Sequence, residues 1–111
     1  MDKFHSLKKN QDFQAVYRNG RSFANSCLVM YAKKRNDEEE NRVGISVSKK
    51  VGNSVVRHRL KRLIREAYRI NCGQAVRGYD LVVIAREKSK EKTYKEITGA
   101  LLSLLRSHRL L

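Results

Sequence analysis

Apolar residues recur along this chain with two periods, and the alternation between them sets out the elements. Val56, Leu60, Leu63, Ala67 and Ile70 follow one another at helical spacing, a stripe that Ile64 widens. Asn53 or Ser54 can cap that helix, Gly52 lets the chain turn into it, and Gly73 offers a left-handed stop beyond Cys72. Before it, Asn10 can cap a short helix with Phe13, Val16 and Tyr17 on one face, Asp12 in its first turn and Gly20 at its end. Ser22 to Lys34 alternates as a strand broken near Asn25, with Leu28, Met30 and Ala32 facing a core and Cys27, Val29, Tyr31 and Lys33 on the other face. After the charged loop Arg35 to Asn41, Arg42 to Ser48 returns as a second alternating strand. Val43, Ile45 and Val47 point inward, and Gly44, Ser46 and Ser48 outward. Tyr79 to Arg86, YDLVVIAR, has the continuous apolar run of a central strand covered on both faces. Glu87 to Lys92 reads as a polar loop. Thr93 and Glu96 then form a capping box that opens a last helix, with Tyr94, Ile97, Leu101, Leu104 and Leu105 as its buried stripe. The order, α-β-β-β-α-β-α, makes an α+β sandwich, expected to be one domain over residues 1–111.

The helix that follows Asn53 carries the chemistry. Lys49 to Arg69 holds eight Lys and Arg (Lys49, Lys50, Arg57, Arg59, Lys61, Arg62, Arg65, Arg69) against one acid, Glu66. Opposite the apolar stripe lie His58, Lys61, Arg62, Arg65 and Arg69, flanked by Arg57 and Arg59. A solvated face ordinarily mixes signs, because like charges four apart repel by a few tenths of a kcal/mol (~0.2–0.5). The pairs Arg57/Lys61, Lys61/Arg65 and Arg65/Arg69 all run the wrong way, which points to a polyanion as the compensating partner.

Composition narrows the partner. The 111 residues carry 25 Lys and Arg against 11 Asp and Glu, a net charge of +14, and four of the acids sit together at Asp37 to Glu40. The rest of the surface is therefore more basic than the total, a field that attracts nucleic acid or an anionic membrane. No apolar run approaches the roughly 20 residues of a membrane span, and the first residues lack a signal-peptide core, so the expected location is cytoplasmic, away from membranes. Cys27 and Cys72 have no metal or redox spacing and read as buried free thiols. His5, His58 and His108 are too scattered for a metal site.

No catalytic constellation emerges: there is no nucleophile–base pairing and no glycine-rich phosphate loop, so the chain reads as a binder. Phe13 and Tyr17 have two open uses, burial against the sheet or stacking. If the two alternating strands pair, Tyr31 and Lys33 stand beside small Gly44 and Ser46 in a shallow trough, which either holds a nucleotide or is filled by the first helix. A DNA-reading helix would mix Asn, Gln and Ser among its arginines for base edges, whereas this face offers charge for backbone. Another basic RNA binder, such as a ribosomal protein, is the nearer alternative.

Three blocks resemble one family. GISVSKKVGNSVVRHRLKRLIRE (Gly44 to Glu66) is similar to the Lys-x-x-Gly-Asn-x-x-x-Arg-Asn-Arg signature, followed by Lys-Arg, of the bacterial ribonuclease P protein subunit. LKKNQDFQAVYRNG (Leu7 to Gly20) and YDLVVIAR resemble its other blocks. His58 stands where that signature has Asn. The resemblance implies a four-stranded sheet with three helices and a left-handed β-α-β crossover, where chain physics alone favours the right-handed one. It implies contact with a catalytic RNA subunit through Lys49, Lys50, Asn53, Arg57, His58, Arg59, Lys61, Arg62, Arg65 and Arg69. It places the 5′ leader of precursor tRNA against Phe13, Tyr17, Val29, Tyr31, Lys33 and Ser46. Hydrolysis would then belong to the RNA and its Mg²⁺, with no catalytic residue or metal ligand on this chain and no protein partner required.

Overall fold

Both faces of the YDLVVIA segment are covered because it forms the middle of a sheet. A computed structural model describes residues 4–111. In it the order is β1 (His5–Ser6), α1 (Asn10–Asn19), β2 (Arg21–Ala24), β3 (Leu28–Lys34), β4 (Arg42–Ser46), α2 (Ser54–Asn71), β5 (Tyr79–Ala85), a 3-10 turn (Glu87–Glu91) and α3 (Tyr94–Ser107). The sheet runs β1-β4-β5-β3-β2. β5 is parallel to β4 and antiparallel to β3, and Leu81, Val82 and Val83 are fully buried in it.

This order corrects two expectations. β3 and β4, adjacent in sequence, do not pair: the chain leaves β4 through α2 and returns as β5 between them, because only an interior position buries both faces of β5. The sheet also has five strands among the described residues rather than four, since His5 and Ser6 pair with Arg42 and Val43 at its edge. Two residues are too short to display a period. β4, α2 and β5 form the β-α-β unit to which the resemblance attaches the left hand.

Two layers flank the sheet. α2 and α3 cover one face, where Leu60, Ile64, Leu101 and Leu104 meet Leu28, Met30, Val43, Leu81 and Val83. α1 covers part of the other, where Leu7, Val16 and Val82 are buried beside Phe13, Tyr17, Tyr31 and Ile84. Several ends differ from expectation. Lys9 occupies the N-cap of α1 and Asn10 lies inside the helix. Asn53 does cap α2, accepting from the Val56 N–H at 3.0 Å. That helix ends on Cys72 with φ −116°, and the left-handed glycine of the structure is Gly78 at φ 93°, not Gly73. Gly78 carries the chain past the 37–40 loop, its N–H donating to the Glu39 carbonyl at 2.9 Å. The stretch after β5 is a 3-10 turn rather than open loop, tightened by the buried Ser89 hydroxyl donating to the Arg86 carbonyl. The Thr93–Glu96 capping box is formed. Cys27 and Cys72 are buried free thiols, and burial pushes the Cys72 thiol up to about 12.

Gly44 decides how closely α1 approaches. A Cβ on it would lie 2.4 Å from Cζ of Phe13, so the missing side chain makes room for that ring. Gly44→Val is expected to expel Phe13 and cost about 1–3 kcal/mol through overpacking, more than the strand propensity it gains. A thermal melt checks this: the midpoint should fall by roughly 4–8 °C for each kcal/mol, and an unchanged or higher midpoint contradicts the packing.

Candidate nucleic-acid interface

Leu60, Ile64 and Ala67 form the buried stripe of α2, with Val56 and Leu63 partly covered beside it. Ile70, expected to complete the stripe, is instead 55% exposed. The cationic residues divide by what they touch. Lys49 and Lys50, in the turn before the helix, and His58, Lys61, Arg62 and Arg65 on its surface are exposed. None of these six makes an ion pair among the described residues. The Arg65 guanidinium lies 5.4 Å from the centre of the Phe4 ring, which itself meets Tyr68 edge-on. Arg57 donates to the Gly52 carbonyl at 2.9 Å, bracing the turn that holds Lys49 and Lys50. Arg59 donates to the Lys90 carbonyl at 2.6 Å. Arg69, also in the expected set, is half-buried and paired with Glu66 at 2.8 Å. Glu66 is the one acid of α2, so the helix has no second carboxylate for the remaining cations.

The second set lies on the other face of the sheet. The register aligns Val29, Ile84 and Ser46 in one row and Tyr31, Val82 and Gly44 in the next. The expected trough is therefore one strand wider than a direct pairing of β3 with β4 would give. α1 fills part of it: Val16 is fully buried and Phe13 stands over Gly44. Tyr17 meets Tyr31 edge-on at 5.1 Å and lies 6.5 Å from Phe13. Val29, Tyr31, Lys33, Ser46 and Tyr17 are all half-buried, so α1 covers these side chains only in part. Burial, then Tyr31, push the Tyr17 hydroxyl above its ordinary range, with Ser46 partly offsetting them. The two faces join at the β4 edge, where Lys8, Phe13, Ile45, Lys61 and Arg65 line a shared groove of about 230 Å³.

Comparison with known proteins decides what this arrangement belongs to. The family model described as Ribonuclease P matches residues 1–109. The chain belongs to the ribonuclease P protein family. It is similar to the ribonuclease P protein component of Clostridium novyi, 57% identical over 107 residues that cover 96% of this chain and 95% of that protein. The component of Alkaliphilus metalliredigens is 54% identical over 111 residues, covering 100% and 99%. Among solved structures, the RNase P protein of Staphylococcus aureus superposes with a TM-score of 0.87 at 38% identity, covering 97% of this chain and 98% of that one. That of Thermotoga maritima gives 0.84 at 32% identity, with 93% and 96% covered. The family supplies the protein component of a ribonucleoprotein endoribonuclease of tRNA processing.

One feature of this ribonuclease P fold escaped sequence reasoning. Asp80, 4% exposed, lies on the α1 face of β5, bonded to Arg42 at 2.7 and 2.8 Å and to Arg35 at 2.9 Å. Arg35 also donates to the carbonyls of Tyr79, Glu39 and Glu40 and to Asp37, so the acidic loop is folded around one guanidinium. Arg42 reaches Asp12 at 3.8 Å, tying the first turn of α1 to the sheet. An acid inside an otherwise apolar strand was the available signal, since a buried carboxylate requires buried cations. Burial raises the Asp80 pKa, but the bonds from Arg42 and Arg35 outweigh it and leave it below the ordinary value.

Proposed function

We propose that the outward face of α2, with Lys49 and Lys50 before it, binds the catalytic RNA subunit of ribonuclease P. The half-buried aromatics of α1 and β3, with Val29, Lys33 and Ser46, receive the 5′ leader of precursor tRNA. One observation carries this reading: seven exposed basic residues on α2 and its preceding turn, Arg59 among them, have no ion-pair partner among the described residues, while the one acid of the helix is paired with Arg69. Counterion release on contact with phosphate supplies the missing compensation. The groove shared by Lys8, Phe13, Lys61 and Arg65 supports a continuous path from the RNA subunit to the leader. Asn53 contributes as the cap that orients the first turn, and Arg57 as the brace of the turn before it. Arg69 serves through its pair with Glu66.

In this reading Mg²⁺ belongs to the RNA. The acids of the 37–40 loop do not fit it: Asp37 faces Arg35, and Glu40 lies 2.7 Å from His5 and 3.9 Å from Arg77. Held by the RNA, Mg²⁺ would supply activation of the attacking water and stabilisation of the leaving oxygen. The protein holds the two RNAs together and, with a net charge of +14, offsets their repulsion. Among the described residues no helix is long and apolar enough to cross a membrane, and the proposed setting is the cytoplasm. A Mg²⁺ titration of precursor tRNA processing by the cognate RNA subunit tests the proposal. Adding the protein should move half-maximal cleavage to lower Mg²⁺, and the protein without RNA should cleave nothing. An unmoved titration, or cleavage by RNA-free protein under stringent nuclease control, contradicts it.

A further inference from the structure

Two residues that helical periodicity assigns to the core, Ile70 and Tyr94, are 55% and 38% exposed. They line the same groove between α2 and α3, about 400 Å³, whose other walls are Leu63, Glu66, Arg59 and Arg62. That volume falls within the range of about 300–1,000 Å³ typical of small-ligand sites. Its floor is apolar, and its rim is the cationic face of α2. Tyr94 is held in place before anything binds. Its backbone follows the capping box, and its hydroxyl accepts from the Asn71 side chain at 2.9 Å, which bridges the two helices by donating also to the Ala67 carbonyl. The only acid in the groove, Glu66, is engaged by Arg69 at 2.8 Å. Arg59 uses one N–H on the Lys90 carbonyl and keeps the remaining donors of its fork. A fixed aromatic ring and apolar walls beside two guanidinium groups match a nucleotide, one half stacking and the other anionic.

We propose that this groove takes an unstacked nucleobase of the RNA subunit, lying on Tyr94 between Ile70 and Leu63, with the adjoining phosphates on Arg59 and Arg62. The inference rests on the reading that α2 faces that RNA and adds base stacking to a contact otherwise made of charge. Affinity for the cognate RNA subunit, measured over a salt series with a melt of each protein alone, tests it. Tyr94→Ala should bind about 5- to 140-fold more weakly. Its dependence on salt should match wild type, because a neutral ring displaces no counterion. Tyr94→Phe should recover most of the loss. Ile70→Glu, at an exposed position that folding does not need, should also weaken binding and keeps the test open if Tyr94→Ala melts. Wild-type affinity in both folded variants, with Lys61→Ala weakened, overturns the groove proposal alone. Wild-type affinity in Lys61→Ala as well overturns the RNA reading beneath it. If Ile70→Glu instead changes the sedimentation of the free protein and spares RNA affinity, the groove belongs to a second copy of the chain.

Discussion

Asp80→Ala is expected to lower folding stability by about 3 kcal/mol while leaving the α2 surface unchanged. Breaking a buried ion pair from one side costs roughly 3–5 kcal/mol, because a charge is left without its partner. The lower end applies here. Arg35, 12% exposed at its side chain, keeps Asp37 and three backbone carbonyls, and Arg42, 40% exposed, can turn to water. The same site sets an acid dependence. The Asp80 pKa is depressed in the folded protein, so its contribution is fully present above the ordinary carboxylate value near 4 and is lost as pH falls through the lower folded value. Denaturant unfolding of wild type and Asp80→Ala from pH 7 downward should give a gap that narrows below about pH 4. A gap constant across that range, or absent at pH 7, contradicts the assignment.

How this latch escaped the sequence, when much else did not, has a physical basis. The cap at Asn53, the Thr93–Glu96 box, the break near Asn25 and the central place of β5 all depend on residues within a few positions of one another. Strand order does not: the insertion of β5 between β3 and β4 is settled by burial across the whole sheet. The bonds of Asp80 to Arg35 and Arg42 span 45 and 38 positions. Periodicity likewise places Ile70 and Tyr94 on an apolar stripe but cannot say where the neighbouring helix ends. Leu60, Ile64 and Ala67 are buried, whereas Ile70 in the last turn of α2 and Tyr94 in the first turn of α3 stay exposed. The candidate site divides the same way. The outward face of α2 follows from counting 100° per residue, whereas the Arg69–Glu66 pair and the support from Lys90 and Gly52 require the folded chain.

Replacing Lys61 and Arg62 together with Ala is expected to weaken RNA-subunit binding by at least about 100-fold, since each charged hydrogen bond is worth about 1.5–3 kcal/mol and two are lost. Neither side chain makes a hydrogen bond or ion pair within the described residues, and both are exposed, so thermal stability should change by no more than about 0.5 kcal/mol. Leu60→Ala supplies the opposite control. That side chain is fully buried, and its loss should cost about 2–5 kcal/mol of folding without removing a charge from the surface.

The central claim, that the unpartnered cations of α2 meet RNA phosphate, is tested most directly by the slope of log affinity for the cognate RNA subunit against log salt. Each phosphate contact contributes about 0.7–0.9 to that slope. In the Lys61→Ala, Arg62→Ala double variant the line should be shallower than wild type by about 1.4–1.8, with the protein still folded. Parallel lines of equal affinity from a folded double variant would place the RNA elsewhere on the molecule.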